Sequence, residues 1–321
     1  MNETILMPGG AGYIGSHVVL ELCENGFEVI VLDDLSSGNE ESIDKRAKFI
    51  NGSTLNKLDL KNSLKGVETV IHLAAFKAAG ESMINPSKYS ENNIVGTINL
   101  LNEMLNQNIR QLIFSSTAAV YGYPKYLPID EKHPLDPINY YGFSKLEVEK
   151  ILQWYGQLKG LRFAVLRYFN AAGYDPNGRL NFLEKNPANL IPIVMEVASG
   201  AREKLQVFGT NYKTHDGTGV RDYIHVTDLA IAHVKALKHL QDSENIIANL
   251  ATGESHSVFD VINCAKEISG KEILYEIIDR RIGDPAELYA KSTLALDKLK
   301  WKAEYSDLNS LIKTTWDIYN Q

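Results

Sequence analysis

A chain of 321 residues, 44% hydrophobic and 23% charged, reads as a globular protein too long for a single core, so two lobes are expected. Its net charge of −7 argues against non-specific nucleic-acid binding, which needs basic surface, but leaves room for an anionic small ligand held by a few arginines. Two cysteines, Cys23 and Cys264, are too few for a disulfide framework and lack metal-site spacing, so no metal is expected. No apolar run reaches the roughly 18 residues of a membrane span. The start, Met1-Asn2-Glu3-Thr4, has no basic leader, and a reducing cytoplasm is the expected compartment.

Thr4 to Met7 is a short apolar run that stops at a glycine cluster. From Gly15 to Asn25, Val18, Val19 and Leu22 fall at helical spacing, and Gly26 ends that helix. Glu28 to Asp33 (EVIVLD) is nearly continuous in β-branched residues, the pattern of a strand buried on both faces. Thr69 to Ala75 (TVIHLAA) and Gln111 to Ser116 (QLIFSS) predict two more strands, with a helix over 94–106 between them. A helix over 142–158 and a strand over 162–170 (RFAVLRYFN) follow. Strand–helix alternation of this kind predicts an α/β fold with a doubly wound parallel sheet of Rossmann type.

Beyond Gly173 the texture changes. Asp175-Pro176-Asn177-Gly178 and Asn186-Pro187 mark loops. Short helices (190–199, 227–240, 257–269) mix with strand-like pieces (204–208, 246–250, 272–278). The expectation is a smaller mixed α/β C-terminal lobe that covers a substrate. The division is drawn at 1–173 and 174–321, with the chain free to cross between lobes.

Gly9-Gly10-Ala11-Gly12-Tyr13-Ile14-Gly15 contains G-x-x-G-x-x-G between the first strand and the first helix. Glycines there permit a tight turn and close approach to a pyrophosphate, which the helix N-terminus favours with amide donors and its dipole. Asp33 follows Gly15 by 18 residues at the end of the second strand, the separation of a carboxylate that holds a ribose diol. A carboxylate would repel a 2′-phosphate, so NAD is expected rather than NADP. Asp34 reads as an exposed neighbour.

Tyr141 and Lys145 stand at i and i+4, on one face of a helix. A tyrosine with an ordinary pKa of about 10 is a poor base at neutral pH. A nearby ammonium, together with a cationic nicotinamide, is expected to lower that value and make a usable phenolate. Ser115-Ser116-Thr117 ends a central strand about 25 residues earlier, where ligands bind in such sheets. Thr117 can orient the substrate hydroxyl that is oxidised.

Taken in order, GGAGYIGSH, VIVLDDL, IFSSTAAVYG, YYGFSK, LRYFNAAG, DGTGVRDYIHVTDLA and RRIGD closely resemble the UDP-glucose 4-epimerases of the extended short-chain dehydrogenase/reductase family. The resemblance covers nearly the whole chain. Its most specific parts are Asp216 to Ala230 and the spacing of Arg281 and Asp284. It implies NAD contacts from Gly9, Gly12, Tyr13, Ile14 and Gly15, then from Asp33, Leu35 and Ser36, and from Ser53 and Thr54. Further NAD contacts are implied at Leu73, Ala74, Ala75, Lys77 and Asn92, and at Ser115, Tyr168 and Phe169 beside Tyr141 and Lys145. Lys77 would reach the phosphates, and Lys145 the nicotinamide ribose.

For the UDP-sugar, the resemblance implies Lys77, Thr117, Tyr141, Asn170, Asn189 and Leu190, then Leu205, Val207, Phe208, Arg221, Arg281, Asp284 and Leu288. Arginines suit a diphosphate, and Asp284 suits ribose hydroxyls. Arg221 and Arg281 could instead form structural ion pairs with Asp222 or Asp284. Lys77 and Asn92 could merely stabilise loops, and His72 reads as a core histidine.

Three departures from the family pattern stand out. Pro8 replaces the usual threonine before the glycine loop, Ser53-Thr54 replaces an Asp followed by an apolar residue, and Thr117 replaces the commoner serine. The activity implied is inversion at C4 of UDP-galactose and UDP-glucose by oxidation and re-reduction. UDP-N-acetylhexosamines share the chemistry, and Leu288 falls where the family sets room beside C2. A 4,6-dehydratase or a decarboxylating relative needs acidic groups just after the strand-end threonine, where this chain has Ala118 and Ala119. A simple alcohol or ketone reductase would leave Arg221, Arg281 and Asp284 without a task, and the intact Thr–Tyr–Lys set argues against a protein that only senses NAD. The family's homodimer implies contacts through the helices about 94–107 and 142–158.

Overall fold

The computed structural model describes residues 3–185, 187–242, 244–281 and 283–321. Met1-Asn2 and the first residue of the Asn186-Pro187 loop signal lie outside the described residues. The first half runs β1 (Thr4–Pro8), α1 (Tyr13–Glu24), β2 (Glu28–Asp33), β3 (Lys48–Asn51), α2 (Lys57–Ser63), β4 (Thr69–His72), α3 (Ala79–Ile84) and α4 (Pro86–Tyr89). A π-helical turn, Ser90–Val95, leads into α5 (Gly96–Asn106), then β5 (Gln111–Thr117), α6 (Tyr140–Lys159), β6 (Arg162–Tyr168) and β7 (Asn170–Ala172). The second half has α7 (Leu190–Ala198), β8 (Leu205–Phe208), β9 (Val220–Arg221), β10 (Tyr223–His225), α8 (Val226–Asp242) and β11 (Ile246–Leu250). It ends with β12 (His256–Ser257), α9 (Val258–Ser269), β13 (Tyr275–Ile278), β14 (Glu287–Leu288) and α10 (Leu308–Tyr319).

One seven-stranded parallel sheet has the order β3-β2-β1-β4-β5-β6-β11. The strand order turns back at β1, so the C-terminal ends of β1 and β4 open the crevice in which such sheets bind ligands. Side chains alternate across the sheet, as strand geometry requires. Ile5, Met7, Val31 and Ile113 face α1 and α8, while Leu6, Leu32, Val70 and Leu112 face α2, α5 and α6. Each aliphatic side chain so buried contributes about 1.5–3 kcal/mol, which is why the sheet is a rigid base for the site.

The chain leaves this sheet and returns to it. The 162–170 run divides: β6 ends at Tyr168, and Asn170 starts β7, which pairs with β10 instead. The 246–250 strand, expected in the C-terminal lobe, is β11 on the edge of the main sheet beside β6, and α8 packs on α1. The second lobe has its own core, where Ile191, Val194, Val207, Ile262 and Leu311 bring α7, β8, α9 and α10 together. Three small sheets accompany it: β7 with β10, β12-β9-β14, and β8 with β13, the last within the second lobe's own core. No helix among the described residues is long and apolar enough to cross a membrane.

Two further differences from the sequence reading are local. The 69–75 strand stops at His72, because the amides of Leu73 and Ala74 both turn to the carbonyl of Pro8, at 2.9 and 2.8 Å. β3 and α2 carry too little apolar periodicity to announce themselves. β3 is a four-residue edge strand (KFIN), and α2 is started by the Asn56 side chain, which accepts from the amides of Leu58 and Asp59.

Candidate active site

The glycine loop fills the crevice at the end of β1. Gly9 has φ +87°, and a Cβ there would lie 2.3 Å from the amide nitrogen of Ala74, so only glycine lets the two chains meet. A Cβ on Gly15 would stand 2.2 Å from the Gly9 carbonyl oxygen. Gly12 differs: a Cβ there meets nothing closer than the Gly9 oxygen at 3.4 Å, so no protein group claims that space. Gly12 is also the N-cap of α1, with no side-chain cap and no acidic residue in the first turn. The amides of Tyr13, Ile14 and Gly15 therefore meet an open, anion-favouring corner that a dinucleotide pyrophosphate fits. Tyr13 can offer only its amide, because its phenol is buried against the Gly173 carbonyl. Pro8, lacking the usual hydroxyl, still secures the turn, since its carbonyl holds Leu73 and Ala74.

Asp33 ends β2 beside this loop. One of its oxygens accepts the Ala11 amide at 3.0 Å, the other the Leu35 amide at 2.9 Å. A carboxylate has about four acceptor positions, so a diol can still be held. Burial raises its pKa, while these two amides lower it. The second bond belongs to a turn that puts Leu35 at φ +59°, a strained position for a branched side chain, and such strain gathers at ligand sites. Ser36 follows, its amide held by Asp34 at 2.9 Å. Asp34 thus has a turn to hold. Further on, the Ser53 amide is held by Asp59 at 3.0 Å, a carboxylate that the sequence reading passed over. Thr54 is buried under Gly96.

Across the crevice, Leu73, Ala74 and Ala75 lead to Lys77, whose ammonium pairs with Glu184. The neighbouring Lys185 donates to the Gly38 carbonyl at 3.0 Å. Residues 184 and 185 thus strap the second lobe over both sides of the groove, which no periodicity could have announced. Asn92 sits in the π-turn, a distortion common at functional sites. Its amide bonds Asn93, which in turn accepts from the Phe76 amide at 2.9 Å and donates to Ser144 at 3.1 Å. That chain of bonds ties Lys77's loop to the helix carrying Tyr141. His72 is buried with one ring nitrogen 2.8 Å from Thr97 and the other without a partner among the described residues, and burial holds its pKa down to about 3. It is a neutral core residue.

The ends of β5 and α6 meet in the acid–base corner. Asn139 caps α6 through the Gly142 amide at 2.8 Å, and the Tyr141 amide donates to Ser82 at 3.0 Å, fixing the phenol at the first turn. Thr117 faces that phenol and holds the Ala119 amide at 3.1 Å. One turn on, Lys145 is buried and donates to the Ser115 carbonyl at 2.7 Å, with its ammonium 4.7 Å from the Phe114 ring centre. Ser115 meets the Tyr168 hydroxyl. The expected depression of the tyrosine does not hold in the protein alone. Burial pushes Tyr141 up to about 12, against which Thr117 acts weakly, and burial pulls Lys145 down to about 7 against the attraction of Glu149. Desolvation outweighs the pair's attraction, so an ionised phenol needs a further cation.

The arginine corner is built from the small sheets. Parallel pairing sets Leu288 of β14 opposite Arg221 of β9. Asn170 of β7 donates to the Asp222 carbonyl through both its amide and its side chain, at 3.2 and 3.1 Å. Arg221 pairs with Asp284, and Asp222 instead fastens the 252–253 turn by accepting from Thr252 and Gly253. Phe208 ends β8 opposite Ile278 and carries the guanidinium of Arg281 at 3.6 Å from its ring centre. Arg281, unlike Arg221, makes no ion pair among the described residues. Leu205 and Val207 point into the core of the second lobe, so only their backbone can meet a ligand. Asn189 caps α7 without a side-chain bond, leaving its amide group for other use, and Leu190 follows half-buried. Leu288 packs with Ala118, Leu146 and Phe169 in one cluster, which brings the two corners together.

Among the described residues, His215, Asp216 and Asp260 form a group whose spacing could hold a metal ion. Both carboxylates already serve the backbone: Asp216 accepts from Thr218, and Asp260 completes the capping box of α9 with Ser257.

A parallel sheet with a glycine cradle at its switch point, and a phenol, a hydroxyl and an amine at the next strand ends, defines a dinucleotide-binding α/β enzyme with an acid–base site. The chain belongs to the NAD dependent epimerase/dehydratase family, whose profile matches residues 5–251. Over 320 residues it is 44% identical to a UDP-glucose 4-epimerase of Halalkalibacterium halodurans, covering 99% of this chain and 96% of the relative. The crystal structure of UDP-glucose 4-epimerase from Brucella ovis in complex with NAD is 40% identical with a TM-score of 0.96, over 99% of this chain and 98% of that one. The UDP-Glc/GlcNAc 4-epimerase of Campylobacter jejuni is 36% identical with a TM-score of 0.87, over 99% of each chain.

Proposed function

We propose that the protein is an NAD-dependent isomerase that interconverts UDP-galactose and UDP-glucose at sugar C4. The observation that carries the reading is the junction of the two corners: Leu288, in register with Arg221, packs against the buried cluster that includes Ala118, the chain neighbour of Thr117. A ligand held by arginines at one end thereby presents its other end to a phenol. Full-length similarity to UDP-glucose 4-epimerases supports the same conclusion.

NAD, when bound, supplies the oxidant and then the reductant for the C4–H bond. Gly9, Gly12, Ile14 and Gly15 hold its pyrophosphate, Asp33 a ribose diol, and Leu35, Ser36, Ser53 and Thr54 line the adenosine end. Leu73 to Ala75, Lys77, Asn92, Tyr168 and Phe169 line the rest of that groove. Thr117 orients the sugar O4. Tyr141 takes the O4 proton and returns it, with Lys145 and the cofactor's positive charge overcoming the burial that raises its pKa. Arg221 and Arg281 hold the diphosphate, and Asp284 the uridine ribose. Asn170, Asn189, Leu190 and the backbone of Leu205 to Phe208 line the same pocket. Anchoring at the UDP end leaves the hexose free to present either face. Ala118 and Ala119 move no protons, so elimination has no acid here.

The strap of Glu184 and Lys185 across the groove favours a cofactor that stays bound. Protein denatured after purification should release NAD or NADH in near-stoichiometric amount, and release of none would favour an ordinary reductase. The finer assignments are part of the same proposal. The cofactor domain is 1–173 with the return through α8 and β11, and the rest of 174–321 is the substrate lobe. Two free cysteines suit a reducing cytoplasm. A homodimer through α5 and α6 would cover Trp154 and Leu158, which are 61% and 67% exposed. Trp154→Glu should then give a monomer in sedimentation, and an unchanged dimer would place the contact elsewhere.

A further inference from the structure

Behind the acid–base corner lies a buried cluster that the proposed mechanism does not use. Glu149 is fully buried on α6, one turn beyond Lys145, and Arg167 is buried on β6. The guanidinium forks onto this carboxylate, Nε to Oε1 at 3.0 Å and Nη2 to Oε2 at 2.5 Å. Ser116 donates to Oε1 at 2.5 Å. Arg167 also donates to the Tyr121 hydroxyl at 3.0 Å, which donates to Asn249 at 2.6 Å. Ser116 stands between Ser115, whose carbonyl holds Lys145, and Thr117, which faces Tyr141. A buried carboxylate with three such donors fixes its neighbours in one arrangement.

We propose that Glu149 is a positioning residue for the reaction: clamped by Arg167 and Ser116, it sets the place and the charge of Lys145. The inference rests on the epimerase reading. The geometry gives two routes of action. Through Ser116, Glu149 pins the end of β5 to α6, and with it the carbonyl that Lys145 donates to. Through space, it is the negative group that holds a proton on an otherwise desolvated Lys145. The other groups around that ammonium offer no negative charge: Tyr141 on α6 and Tyr168 on β6 are protonated phenols, His72 on β4 is neutral, and Phe114 on β5 presents only a ring. Burial outweighs the attraction of Glu149 and brings Lys145 down to about 7, so it loses its proton within reach of neutral pH.

Glu149→Gln keeps the shape and removes the charge. Lys145 is then read directly by its 13Cε resonance in lysine-labelled holoenzyme, assigned by its loss in Lys145→Met. Its midpoint should fall by about one unit. The protonated amine is the active form, so activity is lost as pH rises through that midpoint, and the alkaline limb of the rate profile should move down with it. At the optimum, kcat should drop about tenfold while KM for UDP-galactose stays within about twofold. An unchanged midpoint and limb in folded Glu149→Gln would overturn the proposal. Should Arg167, left without its carboxylate, keep that variant from folding, Ser116→Ala decides. It keeps both charges, so kcat should fall about fivefold with the Lys145 midpoint unmoved, and wild-type kcat would overturn the proposal. Wild-type protein that does not convert UDP-galactose defeats the epimerase reading, whereas the Lys145 titration still tests Glu149.

Discussion

Arg167 and Arg221 each hold a carboxylate, but in opposite settings. The Arg167–Glu149 pair is 3% and 0% exposed, and every oxygen of Glu149 is taken by a donor of the protein. Replacing such a pair with apolar groups would often cost nothing, while removing one partner is strongly destabilising. The Arg221–Asp284 pair is 15% and 34% exposed, with Arg221 on the two-residue strand β9 and Asp284 in the loop before β14. Its neighbour Arg281 is stacked on Phe208 and makes no ion pair among the described residues. The first arrangement is closed and spends its charge on architecture. The second keeps donors open to water, ready for an anion to replace a weak internal contact. The same contrast separates the two corners of the site: Tyr141 and Lys145 are desolvated, whereas Arg281 is exposed and makes no ion pair among the described residues.

The contrast predicts a split in kinetic constants. Tyr141→Phe keeps the ring and removes the proton carrier, so kcat should fall about 10²–10⁴-fold with UDP affinity retained. Weakened UDP binding, or near-normal turnover, would break the division. Arg281→Ala should weaken UDP and UDP-galactose alike by roughly 2–4 kcal/mol and leave NAD content unchanged. Equal UDP affinity in mutant and wild type, by calorimetry, would put the diphosphate elsewhere. Leu288 lies between the corners and should tune selectivity alone. An N-acetyl group crowds the space beside it at a cost of about 1–3 kcal/mol, so UDP-galactose should be the better substrate and UDP-N-acetylglucosamine the slower. Leu288→Tyr should reduce kcat/KM for the N-acetylated sugar much more than for the hexose. Equal losses for both would remove Leu288 from the specificity argument.

The centre of the sheet was legible because β1, β2, β4, β5 and β6 read as apolar runs, and because glycines mark the turn where backbone meets backbone, whereas the exposed edge strand β3 carries no such run. Thr117, Tyr141 and Lys145 were legible from chemistry at helical spacing after a strand end. The strap through Glu184 and Lys185 was not, since it lies in a loop without period and acts through single contacts. Glu149 looks in sequence like any surface charge on a helix, and Arg167 interrupts an otherwise apolar strand. Only the pairing of β5 with β6, which sets Ser116 opposite Arg167, brings them together. In the protein without the cofactor's charge, burial raises the phenol of Tyr141 rather than lowering it, because spacing shows which groups are neighbours, not how much water they have lost.

The most direct test of the account is a time course of UDP-galactose with purified protein and no added nucleotide cofactor, followed by 1H NMR of the anomeric signals. The account predicts conversion to a fixed UDP-glucose/UDP-galactose mixture that is reached from either sugar, over many turnovers, with no net change in NADH absorbance. Absence of conversion, or conversion that stops after one turnover until NAD is supplied, would contradict it.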